Sequence, residues 1–254
     1  MRNLITLFTI LLLQLNAKAL DRDSINYRIF NIGNIVDIKN KPEFSHSLKG
    51  LISSSSEPDL LILNGDLIKK NKSNYLGYDS LNIYNMLKVF STIPNCKTIV
   101  IPGDRDWNNS GKNGLEKVNK LENLIEHKSL KNVKWVLDNG CPGPILIELD
   151  SNRLFMAINT QWWNHPHDKP TSVDGLCKIN TKKDFILEFE NALSESEDKN
   201  LIIAGHFPLV IQRKPSFKDF ILPLPILGSF TASFHQNIGG HKDIVNDLFN
   251  SIRK

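Results

Sequence analysis

Four apolar runs in this chain end in glycine followed by a polar or ligand-type residue, and this repetition constrains the fold more than any other feature. Arg28-Ile-Phe-Asn-Ile runs into Gly33-Asn34, Leu60-Leu-Ile-Leu-Asn into Gly65-Asp66, Thr98-Ile-Val-Ile-Pro into Gly103-Asp104, and Leu201-Ile-Ile-Ala into Gly205-His206. Short runs rich in β-branched residues read as buried strands. A glycine at the end lets the backbone turn sharply, which leaves the next side chain at the strand's carboxyl end. In α/β sheets that rim is where ligands bind.

The remaining pattern agrees with an α/β chain. Strands are expected at 27–33, 60–65, 97–102, 144–150, 154–159 and 201–205. Helical periodicity falls at 43–53, 79–91, 115–127, 182–193 and 243–252, between or after these runs. Such alternation argues for helices packed on a largely parallel sheet. The runs 144–150 and 154–159 flank a Ser-Asn-Arg turn and read as a hairpin that adds an antiparallel pair to the sheet. Residues 213–229 read as an extended, proline-containing loop.

The first residues read as an export signal. Arg2 supplies a positive start, Leu4 to Leu15 is almost wholly apolar, and Ala17-Lys18-Ala19 fits a small-x-small cleavage site. The apolar stretch is shorter than the ~20 residues of a spanning helix. Expected divisions are therefore a signal peptide at 1–19 and one domain at 20–254, with a periplasmic or secreted location. Removing residues 1–19 takes away Arg2 and Lys18, so the formal charge of +4 falls to +2. Neither that charge nor the single, scattered lysines make a nucleic-acid footprint. Export permits disulfides, and of three cysteines Cys141 and Cys177 lie in loops and form the expected pair. Cys96 opens a strand and should pack as a small apolar residue.

Asn34, Asp66, Asp104 and His206 share one topological position. Amide, carboxylates and imidazole together suit a divalent ion. In order and spacing the segments that carry them resemble the calcineurin-like metallophosphoesterase family, nearest its purple acid phosphatase branch. Ile32-Gly33-Asn34 matches the first motif, Gly65-Asp66-Leu67-Ile68-Lys69 the second, Gly103-Asp104-Arg105-Asp106 the third and Gly205-His206-Phe207-Pro208 the fourth. The Asp106-Trp107-Asn108 continuation, Gln161-Trp162-Trp163 and the segment from Pro223 to Ser229 look like the same branch, particularly its exported bacterial members. The resemblance implies a four-layer α-β-β-α sandwich with a two-metal centre of Fe, Zn or Mn at the strand ends.

Departures from the family pattern are concentrated at the chemistry. Its first metal-binding aspartate is Asn34 here, and the bridging aspartate is kept as Asp66. Lys69 replaces a tyrosine ligand, Asp104 an asparagine ligand, and Arg105 the catalytic histidine. Arginine holds anions but does not give up a proton near neutrality. His206 keeps the fourth-motif ligand. Gly240-His241-Lys242-Asp243 is the only candidate for the fifth motif, and its context fits an exposed loop histidine better. Without that motif the domain lacks its last strands. His165 and His167 read as part of a rigid loop over the site, and His46 and His127 as surface residues on helices.

The resemblance therefore implies a phosphoric ester hydrolase domain with a degraded site, weakly active or inactive, which takes at most one metal through Asn34, Asp66, Asp104 and His206. Its partner would be a phosphorylated small molecule or other anion, held by Arg105. Two alternatives stay open. One is a metal-independent anion-binding module. The other is an active secreted phosphomonoesterase whose site His241 completes.

Overall fold

A computed structural model of the chain describes residues 27–37, 41–54, 59–68, 78–128 and 130–207, and near the C-terminus residues 244, 247, 248 and 250–252. Residues 1–19, read from the sequence as an export signal, lie outside the described residues, as do Lys69, residues 213–229 and Gly240-His241.

Strands β1 (Arg28–Gly33), β2 (Asp59–Asn64), β3 (Cys96–Ile101) and β4 (Val133–Trp135) form a parallel sheet in that spatial order. Strands β5 (Ile145–Asp150), β6 (Arg153–Ala157) and β7 (Asn200–Ala204) form a mixed sheet, with β5 antiparallel and β7 parallel to β6. Helices α1 (Pro42–Ser53), α2 (Tyr78–Ser91) and α3 (Gly114–His127) connect the first sheet's strands, as parallel neighbours require. A one-turn helix, α4 (Thr160–Asn164), follows β6, and α5 (Lys182–Ser194) leads into β7.

One sequence expectation is corrected. The hairpin does not extend the first sheet; it founds a second one, which β7 joins. Consequently the residues at the strand ends come from two sheets, Asn34, Asp66 and Asp104 from one and His206 from the other. Strand β4 and helix α4 are too short to show periodicity. His165 follows α4 as its C-cap residue, in the loop the sequence indicates, and is 1% exposed. His46 and His127 are exposed, on α1 and α3.

The faces of β2 and β3 alternate between two cores. Leu60, Ile62, Ile99 and Ile101 pack with Phe155 and Ala157 of β6, so this small core lies between the sheets. Leu61, Leu63 and Val100 face the other way, into the larger core with Leu87 and Phe90 of α2 and Leu121 of α3. With both faces covered, β2 is apolar along nearly its whole length, as expected of a central parallel strand. Arg28 and Asp59 pair at the start of β1 and β2, with two bonds of 2.8 and 2.7 Å, and Arg28 also donates to the Ile52 carbonyl. A carboxylate that is 2% exposed needs such a partner.

Candidate metal and anion site at the strand ends

The loops after β2 and β3 meet at two glycines. Gly65 has φ +78°, and a Cβ there would lie 2.5 Å from Gly103 Cα and from His206 Nδ1. A Cβ on Gly103 would in turn lie 2.6 Å from the Asp66 nitrogen. Close approach, as much as the turn itself, demands glycine at both positions.

Asp106 holds the two loops together. Its buried carboxylate accepts N–H bonds from Asp66 (2.9 Å), Leu67 (2.9 Å), Ile68 (3.2 Å) and Gly103 (2.8 Å). Asp66 itself sits in the left-handed region, with φ 61°. That conformation is tolerated by aspartate and is fixed here by the Asp106 clamp. Burial pushes the Asp106 carboxyl up to about 7, against the pull of the N–H donors from Gly103 and Asp66.

Above this base Asp66, Asp104 and His206 converge. One ligand atom from each lies within 4.8 Å of the others. His206 Nδ1 is 2.8 Å from the Asn64 carbonyl, which can only accept, so Nδ1 carries a hydrogen. Nε2 then faces Asp104 Oδ1 at 3.3 Å and Asp66 Oδ1 at 3.6 Å. A lone pair between two carboxylate oxygens is repulsive. A proton or a metal ion must stand there. Burial opposes the imidazolium, but bonding to Asp104, the charge of Asp66 and the Asn64 carbonyl together raise the His206 pKa. Burial likewise works against the Asp104 carboxylate, yet its bond to His206 holds it below its usual value. Asp66 shifts upward because burial outweighs the attraction of His206 and Asp104 adds repulsion.

On the other side of Asp66 stands Arg105. Its Nε lies 3.4 Å from Asp66 Oδ2, its NH1 donates to Asn34 Oδ1 at 2.7 Å, and its backbone N–H donates to Asp66 Oδ1 at 3.2 Å. Asn34 thus meets the same guanidinium that faces Asp66.

The trio fits a divalent cation. Two carboxylates and an imidazole are hard to borderline donors, suited to Zn, Mn or Fe. The Nδ1 bond to a carbonyl is the outer-shell contact that orients a ligating imidazole. Three protein ligands leave a position open for water or an anion. A second acidic group, Glu122, Glu126 and Asp138, serves the architecture instead, since both Glu122 oxygens accept from the Asn139 N–H, at 3.0 and 2.7 Å.

Sequence reasoning missed Asn64 and Asp106. Asn64 ties the sheets at the site, since its Nδ2 donates to the Gly205 carbonyl at 3.0 Å while its own carbonyl receives His206. Asn64 closes the apolar run before the second motif and Asp106 ends the third, and nothing in residue type separates a clamp from a ligand. Compared with known protein families, curated proteins and solved structures, the chain matches none.

Proposed function

We propose that this chain is a degenerate metallophosphoesterase that binds phosphate-type anions, takes at most one divalent ion, and hydrolyses phosphomonoesters far below ordinary enzyme rates. The observation that carries this reading is the Arg105 guanidinium between Asn34 and Asp66. On one side of Asp66 the trio offers a place for one ion. On the other a permanent cation is already present, where a two-metal clamp would need its second ion to share Asp66. The ordering of the two sheets, with helical side chains packed behind β2 and β3, supports assignment to the family's four-layer sandwich.

Charge supports an anion as the ligand. Without metal, Asp66 and Asp104 are balanced by Arg105 and an imidazolium at His206. With a divalent ion and a neutral imidazole the same group carries a net +1. Arg105, with its side chain one-third exposed, is available to a phosphate oxygen. In the second reading, a module that needs no ion, the charges are already balanced and Arg105 alone holds the anion. An exported location belongs to the same proposal and draws support from the Cys141–Cys177 disulfide, a bond that persists in oxidising compartments.

Metal analysis of the purified chain, combined with an aryl phosphate assay, tests the reading. One ion or fewer per chain is expected, with turnover well below ~1 per second. Two ions per chain with turnover on the order of 1–10³ per second would overturn it. Restoring Asn34→Asp, Lys69→Tyr, Asp104→Asn and Arg105→His together should raise metal content and activity.

A further inference from the structure

His206 alone in the trio follows a strand of the second sheet, whereas Asp66 and Asp104 follow strands of the first. Its imidazole meets their carboxylates only while the end of β7 is held against the end of β2. Gly205, directly before it, has no side chain to fix the turn. One grip comes from β2. Asn64 Nδ2 donates to the Gly205 carbonyl at 3.0 Å, and the Asn64 carbonyl accepts from His206 Nδ1 at 2.8 Å. These bonds act on Gly205 and on the ring itself.

A second grip comes from Thr160, the first residue of α4, which is 0% exposed. Its Oγ1 accepts the Phe207 N–H at 3.1 Å. Its methyl lies against Gly205, where a Cβ would come within 2.8 Å of Thr160 Cγ2 and 3.0 Å of Ile158 Cγ1. The two branches of one side chain thus meet the residues on either side of His206. A β-branched side chain is stiff at χ1, so the two contacts are set together. A threonine at a helix start often serves its own helix. Here Asn159 is the cap and accepts the Trp162 N–H, which leaves the Thr160 hydroxyl to the His206 segment. Asn159 in turn fixes Thr160 on the rest of the second sheet. Its N–H donates to the Pro142 carbonyl at 2.8 Å and its Nδ2 to the Gly140 carbonyl at 3.1 Å.

We propose that Thr160 is a positioning residue for the strand-end site, gripping Gly205 and Phe207 so that the His206 imidazole stands as the third ligand of one divalent ion. The inference rests on the reading of the trio as a one-ion site. Thr160 acts through His206. With the backbone fixed on both sides, Nε2 stays 3.3 Å from Asp104 Oδ1 and 3.6 Å from Asp66 Oδ1, and an incoming ion does not have to order the ring. Loss of an outer contact that orients a ligand costs about 10–100-fold in metal affinity.

The test compares the unsubstituted full chain with Thr160→Val, which keeps the shape and removes the acceptor, and with Thr160→Ser, which keeps the hydroxyl. Co²⁺ is titrated into each chain and followed by calorimetry. In the metal-free chains the His206 Nδ1 proton is followed by NMR, assigned by its absence from His206→Gln. Thr160→Val should weaken Co²⁺ binding about tenfold or more and speed exchange of that proton with water. Thr160→Ser should return both toward the unsubstituted values. If Thr160→Val loses its near-ultraviolet circular dichroism, Gly205→Ala, whose methyl pushes the segment off Thr160, replaces it. Unchanged Co²⁺ affinity or unchanged proton exchange in Thr160→Val overturns the proposal, even where stability falls, because Thr160 then only fills the core. A loss that Thr160→Ser does not reverse, or no protected proton in the unsubstituted chain, overturns it too. If the unsubstituted chain takes up no Co²⁺, the one-ion reading fails and the proton decides alone. Faster exchange in Thr160→Val then keeps Thr160 as the residue that positions His206, and unchanged exchange removes it.

Discussion

Asp106 shows how much a single side chain can organise without touching a ligand. It collects four backbone N–H groups from two loops, so its loss leaves several buried donors unpaired. Asp106→Ala should destabilise the chain by on the order of 3 kcal/mol, read from denaturant midpoints, and, on the proposal that the trio takes an ion, should also abolish metal uptake. Retained metal binding would show that the Asp66 loop holds its shape without the clamp. Arg28 is the opposite case, a structural ion pair far from any chemistry. Arg28→Ala strands the buried Asp59 carboxylate and should cost about 3 kcal/mol, whereas replacing both partners with apolar residues should cost much less. His165 adds a pH effect. Burial pulls its pKa down to about 4, aided by Lys169 and His167. A histidine depressed in the folded state contributes stability that is complete above about 6.5 and is lost as pH falls toward 4. Stability measured by urea unfolding should fall across that window by up to about 3 kcal/mol more in the unsubstituted chain than in His165→Gln. Equal slopes would mean that the imidazole protonates without strain.

At the scale of elements, α4 is held by contacts that no period in the sequence announces. Asn159 caps it by accepting the Trp162 N–H at 3.1 Å and donates to the Gly140 carbonyl at 3.1 Å. The His165 ring lies 4.8 Å from that of Trp107 and packs on Gly114, the first residue of α3. A Cβ at position 114 would meet His165 Cε1 at 2.5 Å and the Trp107 carbonyl at 2.6 Å. Gly114→Ala should therefore destabilise by about 1–3 kcal/mol despite alanine's higher helix propensity, because a ring and a backbone must both shift. A gain in melting temperature would show that α4 yields easily. Helix α5 carries a capping box between Thr181 and Asp184. Its register was legible because Phe185, Phe189 and Ala192 recur on one buried face.

For the whole molecule, the disulfide between Cys141 and Cys177 is the main covalent constraint. It joins the segment before β5 to the loop before α5 across 36 residues, with Cα atoms 5.7 Å apart. A loop of that length predicts about 4 kcal/mol of stabilisation on the chain-entropy account. Reduction, or Cys141→Ser with Cys177→Ser, should lower stability by about 2–4 kcal/mol without altering Cys96, which is buried in the core. Unchanged unfolding after reduction would place the bond in a region that opens independently. Among the described residues no helix is long and apolar enough to cross a membrane.

The sequence by itself determined the strands and helices that have period or length: the apolar runs of β1, β2, β3 and β7, and the faces of α1, α2, α3 and α5. It also placed Asp66, Asp104 and His206 at strand ends, since a glycine after a buried run leaves little choice about where the next residue falls. The loop position of two cysteines was enough to select their pairing. Only the tertiary structure decided that the hairpin starts a second sheet, because a strand's partner depends on which edge is free rather than on its own residues. The same holds for the contact between Arg105 and Asn34, which joins segments far apart in the chain. The clamp role of Asp106 and the burial of His165 were hidden for one reason: a carboxylate or an imidazole has no intrinsic preference among ligand, clamp and core. Only the donors and neighbours brought to it from distant segments settle which it becomes.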